Sequence, residues 1–233
     1  MGHSKMTYLE HCRYRNVDGV CIVCSHFDDS EVLQLVSSPL PLVTIDHVFN
    51  NKACVQSENR QGIEALTRYI LSMGHKKVAF IYGAQDTVSD IRLTSFLRTM
   101  NDAGLSVPDD YLIASPYHDP ASTREATAQL HSLRDRPTCI LMPDDYSALG
   151  GMDAIRATGL RVPEDISITG YDGVAMIQMC QPQLTTVEQD AFKIGREAAR
   201  KLVHLIEQPR TTLPEIVSVP CRLITGGTVA RLA

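Results

Sequence analysis

Five short apolar runs set the terms for this chain: residues 19–24, 42–45, 77–82, 139–142 and 166–169, each bounded by Gly, Pro or Asp. A run that stays apolar at every position, instead of alternating, is the signature of a strand buried on both faces. Between the runs lie amphipathic stretches over residues 30–36, 58–73, 89–103, 121–133, 146–157 and 190–206. Strand and helix in alternation build a parallel sheet through right-handed crossovers, so the fold class expected is α/β. Residues 103–110 and 158–165 repeat one plan. Gly104 or Gly159 takes a left-handed turn past a helix end, Leu105 or Leu160 packs back, and Pro108 or Pro163 stiffens the loop that follows.

At 233 residues the chain can bury one large α/β lobe or two smaller ones. A hydrophobic share of 44% with 21% charged residues is that of an ordinary globular chain. The net charge of -5, with no cluster of Lys and Arg, gives no electrostatic footprint for nucleic acid. No apolar stretch is long enough to span a bilayer, and the first residues lack the apolar core of a secretory signal. A cytoplasmic protein away from the membrane is therefore expected. The seven cysteines are read as free thiols, with Cys21, Cys24, Cys139 and Cys221 in or beside apolar runs as small core residues. Cys21 and Cys24 resemble half a zinc site, but three residues apart on a strand they face opposite ways and no second pair follows, so no metal is expected.

Carboxylates fall directly after apolar runs: Asp46, Asp144, Asp145 and Asp172. At the carboxyl ends of parallel strands, where such sheets bind ligands, a carboxylate accepts hydrogen bonds from hydroxyl-rich molecules. The alternative is capping of the next helix, to which Asp145 is assigned because it directly precedes the helix beginning near Tyr146. Arg92 is placed in the first turn of a helix, where a cation opposes the macrodipole, so it needs another partner: a ligand, or Asp86 or Asp90. No nucleophile elbow, phosphate-binding glycine loop or zinc-protease motif is present, so an enzyme is not expected, and no cofactor is expected either.

The segments 160–172 (LRVPEDISITGYD) and 184–190 (LTTVEQD), preceded by 73–81 (MGHKKVAFI), 92–96 (RLTSF) and 144–150 (DDYSALG), closely resemble the effector-binding core of the LacI/GalR (lac repressor) family of transcription regulators. That resemblance implies a periplasmic-binding-protein-like type I fold of two lobes of parallel sheet flanked by helices. They cover residues 1–58 plus 190–215 and residues 59–189 plus 216–233, with a small effector of the sugar or nucleoside class between them. It selects Asp172, Arg92 and Ser89 as effector contacts, and adds Asp144, Tyr146, Asp46 and Phe192 to the site, with Tyr146 equally readable as core. It further implies a homodimer, paired near residues 31–36 and 146–156. The sequence carries no counterpart of the family's DNA-binding helix-turn-helix, nor of the first strand, first helix and second strand of the N-terminal lobe. The lobe is thus expected to be incomplete, entered by a helix over residues 7–15, with an open apolar edge on the strand at residues 20–24. A periplasmic sugar-binding protein of the same fold is the alternative.

Overall fold

The computed structural model describes residues 6–23, 26–83 and 86–232, and the chain folds as two compact units. One unit joins Met1–Ser57 to Asp190–Val219; the other joins Glu58–Gln189 to Pro220–Ala233. The first opens with α1 (Tyr8–Arg15), β1 (Val20–Ile22), α2 (Ser30–Val36), β2 (Leu42–Ile45) and β3 (Ala53–Ser57). The second runs through α3 (Asn59–Ser72), β4 (Val78–Tyr82), α4 (Thr87–Asp102), β5 (Leu112–Ala114), α5 (Pro120–Ser132), β6 (Cys139–Leu141), α6 (Asp145–Ala157), β7 (Ser167–Thr169) and β8 (Thr186–Gln189). The chain then returns to the first unit for α7 (Ala191–Glu207) and β9 (Ile216–Val219), and ends in the second with β10 (Cys221–Ile224).

Each unit is built on a four-stranded parallel sheet, in the order β1-β2-β3-β9 in the first and β5-β4-β6-β7 in the second. Strands β8 and β10 form a separate antiparallel pair. Side chains of the second sheet alternate between two cores, as the period of two requires. Ala79, Ile81, Ile140 and Ile168 pack against Leu130 of α5 and Met152 and Ile155 of α6. Val78, Phe80 and Leu141 pack against Ile63, Leu66 and Ile70 of α3 and Phe96 and Met100 of α4. The helices start where side chains can answer their free N–H groups. Thr7 and Glu10 form a reciprocal capping box on α1. Asp119 caps α5, with Pro120 at a first-turn position that needs no N–H. The repeated glycine plan closes α4 as expected: Gly104 at φ +73 lets Leu105 N–H return to the Met100 carbonyl at 3.0 Å and Gly104 N–H to Asn101 at 2.8 Å.

The chain corrects two expectations here. Residues 216–219, assigned with the second lobe, form β9 and lie parallel to β3 in the first unit, with Cys54 opposite Ile216. Val219 joins Val43, Val55, Ile194 and Ala198 in that unit's core, so burying alternate side chains on α7 fixes the strand there. Cys21 is exposed and not a core residue, because on β1 it faces away from the buried Ile22. Cys24 lies outside the described residues; the six described cysteines are free thiols. Among the described residues β1 pairs with β2 alone, at one end of its sheet, and is followed by Val23, 70% exposed. Among the described residues no helix is long and apolar enough to cross a membrane.

Candidate functional site

In the second unit, polar side chains converge past the carboxyl ends of β4, β6, β7 and β8. After β4, Asp86 caps α4 by accepting the Ser89 N–H at 2.7 Å. The Ser89 hydroxyl then meets the Tyr117 hydroxyl at 2.8 Å. Tyr117 lies against Gly83, where a Cβ would fall 2.1 Å from its ring, so this approach needs glycine. Burial pushes the Tyr117 hydroxyl pKa up, with Arg92 pulling the other way.

Arg92 sits in the second turn of α4, since the helix begins at Thr87, and is only 4% exposed. The macrodipole argument is therefore weaker than expected, and the side chain's own contacts explain it better. Its Nε donates to Asn59 Oδ1 at 2.9 Å and its Nη1 to the Pro143 carbonyl at 3.1 Å. The guanidinium lies 3.6 Å from the ring centre of Tyr171 and 5.8 Å from that of Tyr117, within cation-π range of both. Tyr171 is 1% exposed, its ring forming the floor beneath this cation.

Asp172 follows with φ at +109, a conformation that L residues other than glycine rarely adopt. Its backbone is pinned to β8, the N–H donating to the Val187 carbonyl at 2.8 Å and the carbonyl accepting from Gln189 at 3.1 Å. Its Oδ1 also accepts from Gln189 Nε2 at 2.5 Å. Burial raises its pKa, outweighing the Arg92 guanidinium and the Gln189 amide, which favour the carboxylate.

The cap of α6 lies one residue earlier than expected. Asp144, not Asp145, caps α6 and is fully buried. Its oxygens accept from Ser147 N–H at 2.9 Å, Ser147 Oγ at 2.8 Å and His118 N–H at 2.8 Å, with His118 Nδ1 at 3.4 Å. Those donors all come from the fold and tie the start of α6 to the loop that carries His118. Asp145 turns back instead, accepting from Val174 N–H at 2.7 Å and Thr186 Oγ1 at 2.5 Å. Burial, with a smaller contribution from Asp172, pushes its pKa up to about 7.

Tyr146 is 43% exposed and meets His118 edge to face at 5.8 Å, so it is not a core residue. Asp46 and Phe192 belong to the first unit. Asp46 has φ +59 and accepts the Ser57 N–H at 2.9 Å; Phe192, 79% exposed, lies in the first turn of α7 with the Arg196 guanidinium 5.9 Å away. The structure thus gathers Asp172, Arg92, Ser89 and Asp144 in the second unit, with Tyr146 beside them across His118. It adds Asn59, Tyr117 and Gln189, which the sequence did not single out. Gln189 could have been found from the run 184–190, but Asn59 and Tyr117 carry no local signal. Among the described residues, no three His, Cys, Asp or Glu are placed to hold a metal ion.

Residues 67–229 match the family described as periplasmic binding protein-like domain. Over 205 residues, 86% of the chain, the sequence is 32% identical to the HTH-type transcriptional repressor PurR of Pasteurella multocida. The chain spans 61% of that relative's length. A LacI family transcriptional regulator from Enterococcus faecium, solved with bound ribose, superposes with a TM-score of 0.86 at 25% identity, over 99% of this chain and 86% of that one. The transcriptional regulator CelR in complex with cellobiose gives 0.84 at 26% identity, over 95% of this chain and 71% of that one. The chain belongs to the periplasmic binding protein-like domain family, as a core of the LacI/GalR type.

Proposed function

We propose that this chain is the sensing core of a DNA-binding transcription regulator and that it takes a neutral, hydroxyl-rich molecule of the sugar or nucleoside class at the strand ends of its second unit. The observation that carries this reading is the pairing of a half-buried carboxylate, Asp172, with a buried arginine already engaged by Asn59, Pro143 and Tyr171. Asp172 offers acceptor capacity to ligand hydroxyls. The Ser89 and Tyr117 hydroxyls add groups that can donate or accept. Arg92, held against a tyrosine floor, sets the field at the carboxylate more than it offers a clamp for an anion. The ribose and cellobiose held by the two regulators named above support the hydroxyl-rich class.

The ligand changes output by differential binding: it must favour one conformation over another, by a few kcal/mol, to alter the DNA affinity of the intact regulator. DNA contact is assigned to a helix-turn-helix and not to this stretch, whose net charge is -5. A homodimer paired through α2 and α6 is part of the same reading, and sedimentation showing monomer alone at micromolar concentration would count against it. Enzymatic turnover is not proposed. His75 Nε2 lies 3.2 Å from Ser167 Oγ, a nucleophile-and-base pairing on paper, but both residues are buried and the ring also bonds Thr138 Oγ1 and the Ala230 carbonyl.

The test is calorimetry of the chain against ribose, cellobiose and a set of nucleosides, repeated with Asp172→Ala. Binding by the wild type with a loss of about 1.5 to 3 kcal/mol in the variant is expected, the usual range for hydrogen bonds to a charged group. Undiminished affinity in Asp172→Ala would remove Asp172 from the site, and no binding across the whole set would overturn the ligand class.

A further inference from the structure

The turn that carries Asp172 is held by a buried residue of α6. Asp145, fully buried in the first turn of α6, spans three segments. One carboxylate oxygen accepts the Val174 N–H at 2.7 Å, and the other accepts from Thr186 Oγ1 on β8 at 2.5 Å. Its own N–H donates to the Tyr171 carbonyl at 2.8 Å. The fit admits no alternative packing at Gly170, where a Cβ would come within 2.2 Å of Asp145 Oδ1. A residue such as Asp172, at φ +109, stays in so sparsely populated a conformation only when its surroundings over-determine it. The Val187 and Gln189 bonds fix the turn on one side, and the Asp145 carboxylate supplies the fixing on the other.

We propose that Asp145 is a positioning residue: by bonding the Val174 N–H and tying it to Thr186, it holds Asp172 in its left-handed conformation and so presents that carboxylate to the ligand. The presentation to ligand rests on the function proposed above; the control of the turn does not. The same carboxylate titrates near pH 7, because burial resists its charge and Asp172 adds to the resistance. The other charged neighbours, Arg92, Asp144 and His118, act on Asp172. Hydrogen bonds to an ionised acceptor are roughly twice as strong as those to a neutral one. The grip on Val174 therefore strengthens as pH rises through this range.

The experiment is nuclear magnetic resonance on the whole chain without ligand, for wild type, Asp145→Ala and Asp145→Asn. The backbone coupling of Asp172 reports its φ, and the Val174 amide shift reports the bond to Asp145. Asp145→Ala is expected to lose the left-handed coupling at Asp172 and the exchange protection of the Val174 amide. Asp145→Asn, which keeps a carbonyl acceptor, is expected to restore the coupling. In wild type the Val174 shift should titrate near pH 7; in Asp145→Asn it should be flat. Wild-type coupling and protection in Asp145→Ala would overturn the proposal. If Asp145→Ala does not fold, Asp145→Ser, too short to reach the Val174 N–H, takes its place: wild-type coupling at Asp172 with wild-type protection of Val174 overturns the proposal, and their loss upholds it. Ribose serves as the binding probe, with about tenfold weaker affinity expected in Asp145→Ala. Ribose that fails to bind even the wild type counts against the proposed function, and the coupling data still decide the positioning role.

Discussion

Replacing Arg92 by lysine keeps the charge and removes the shape, so it isolates what the guanidinium contributes. Nε and Nη1 reach two separate acceptors, Asn59 Oδ1 and the Pro143 carbonyl, while the plane lies 3.6 Å over Tyr171. A single ammonium on a flexible stem satisfies one acceptor and cannot stack. Losing one charged hydrogen bond at a buried acceptor costs about 1.5 to 3 kcal/mol. Exchanging the flat stack for a point contact costs about 0.5 to 1 kcal/mol more. The sum, about 2 to 4 kcal/mol, corresponds to a fall in Tm of about 4 to 16 °C for a chain of this size. Near-ultraviolet circular dichroism is a suitable assay, because the chain has no Trp and six of its eight Tyr (Tyr69, Tyr82, Tyr111, Tyr117, Tyr146, Tyr171) lie in the second unit. Arg98→Lys on the same helix is the control: that side chain is 74% exposed and 4.0 Å from Asp102, a surface pair of little value. If Arg92→Lys and Arg98→Lys melt together, the buried guanidinium's contacts only repay its desolvation, and the reasoning fails.

Gly62→Ala and Gly195→Ala place the same methyl in two helices with opposite results. At Gly62 the Cβ would fall 2.4 Å from the Tyr171 hydroxyl, costing about 1 to 3 kcal/mol by overpacking, whereas at Gly195 nothing lies within 4 Å and about 0.5 to 1 kcal/mol of helix propensity is gained; denaturant midpoints of equal sign would contradict this. Hydrogen exchange should find the amides of β1, at a sheet edge, opening much faster than those of β4, paired on both sides by β5 and β6, and equal protection in a monomer would mean that the edge is closed in some other way. Burial lowers the pKa of His75 below 6.5, so the fold favours the neutral ring; the unfolded chain takes up more protons as pH drops below that value, and stability present above it is lost. Melting from pH 8 to pH 5 should show that loss and His75→Gln should reduce it; a pH dependence unchanged in His75→Gln would clear the residue.

The parallel sheets were legible because burial on both faces leaves a mark that needs no context: all five apolar runs became strands. Two of the strands that escaped lack that mark. Residues 216–219 read Ile-Val-Ser-Val with Ile216 half exposed, and β5 lies at the sheet edge with no residue fully buried. Resemblance selected Asp172 and Arg92, whereas the cap of α6 was placed at Asp145 and falls at Asp144. The reason is geometric. A cap residue must sit one place before the first helical turn, and a shift of one residue, invisible in composition, decides which carboxylate meets Ser147 and which turns toward Val174. Asn59 and Tyr117 reach the site from α3 and from the loop after β5, and sequence separation hides such convergence.

The polar groups at these strand ends are matched unevenly, and the unevenness separates scaffold from sensor. Asp144 has donors at both oxygens, all from the fold, and is fully buried, so adding a ligand hydroxyl there would mean breaking an existing bond. Asp172 has Gln189 Nε2 at one oxygen and remains partly exposed, and its raised pKa records a carboxylate denied the hydration it would have in water. A ligand hydroxyl donated to Asp172 restores part of that solvation and stabilises the charged form, so binding should lower its pKa and release protons wherever the free carboxyl is still partly protonated. The discrimination follows from the same imbalance. A molecule of similar shape lacking that hydroxyl would leave the carboxylate dehydrated with Gln189 still bonded to one oxygen, which is how a site with one under-solvated acceptor tells a hydroxyl from its absence more sharply than an apolar pocket can.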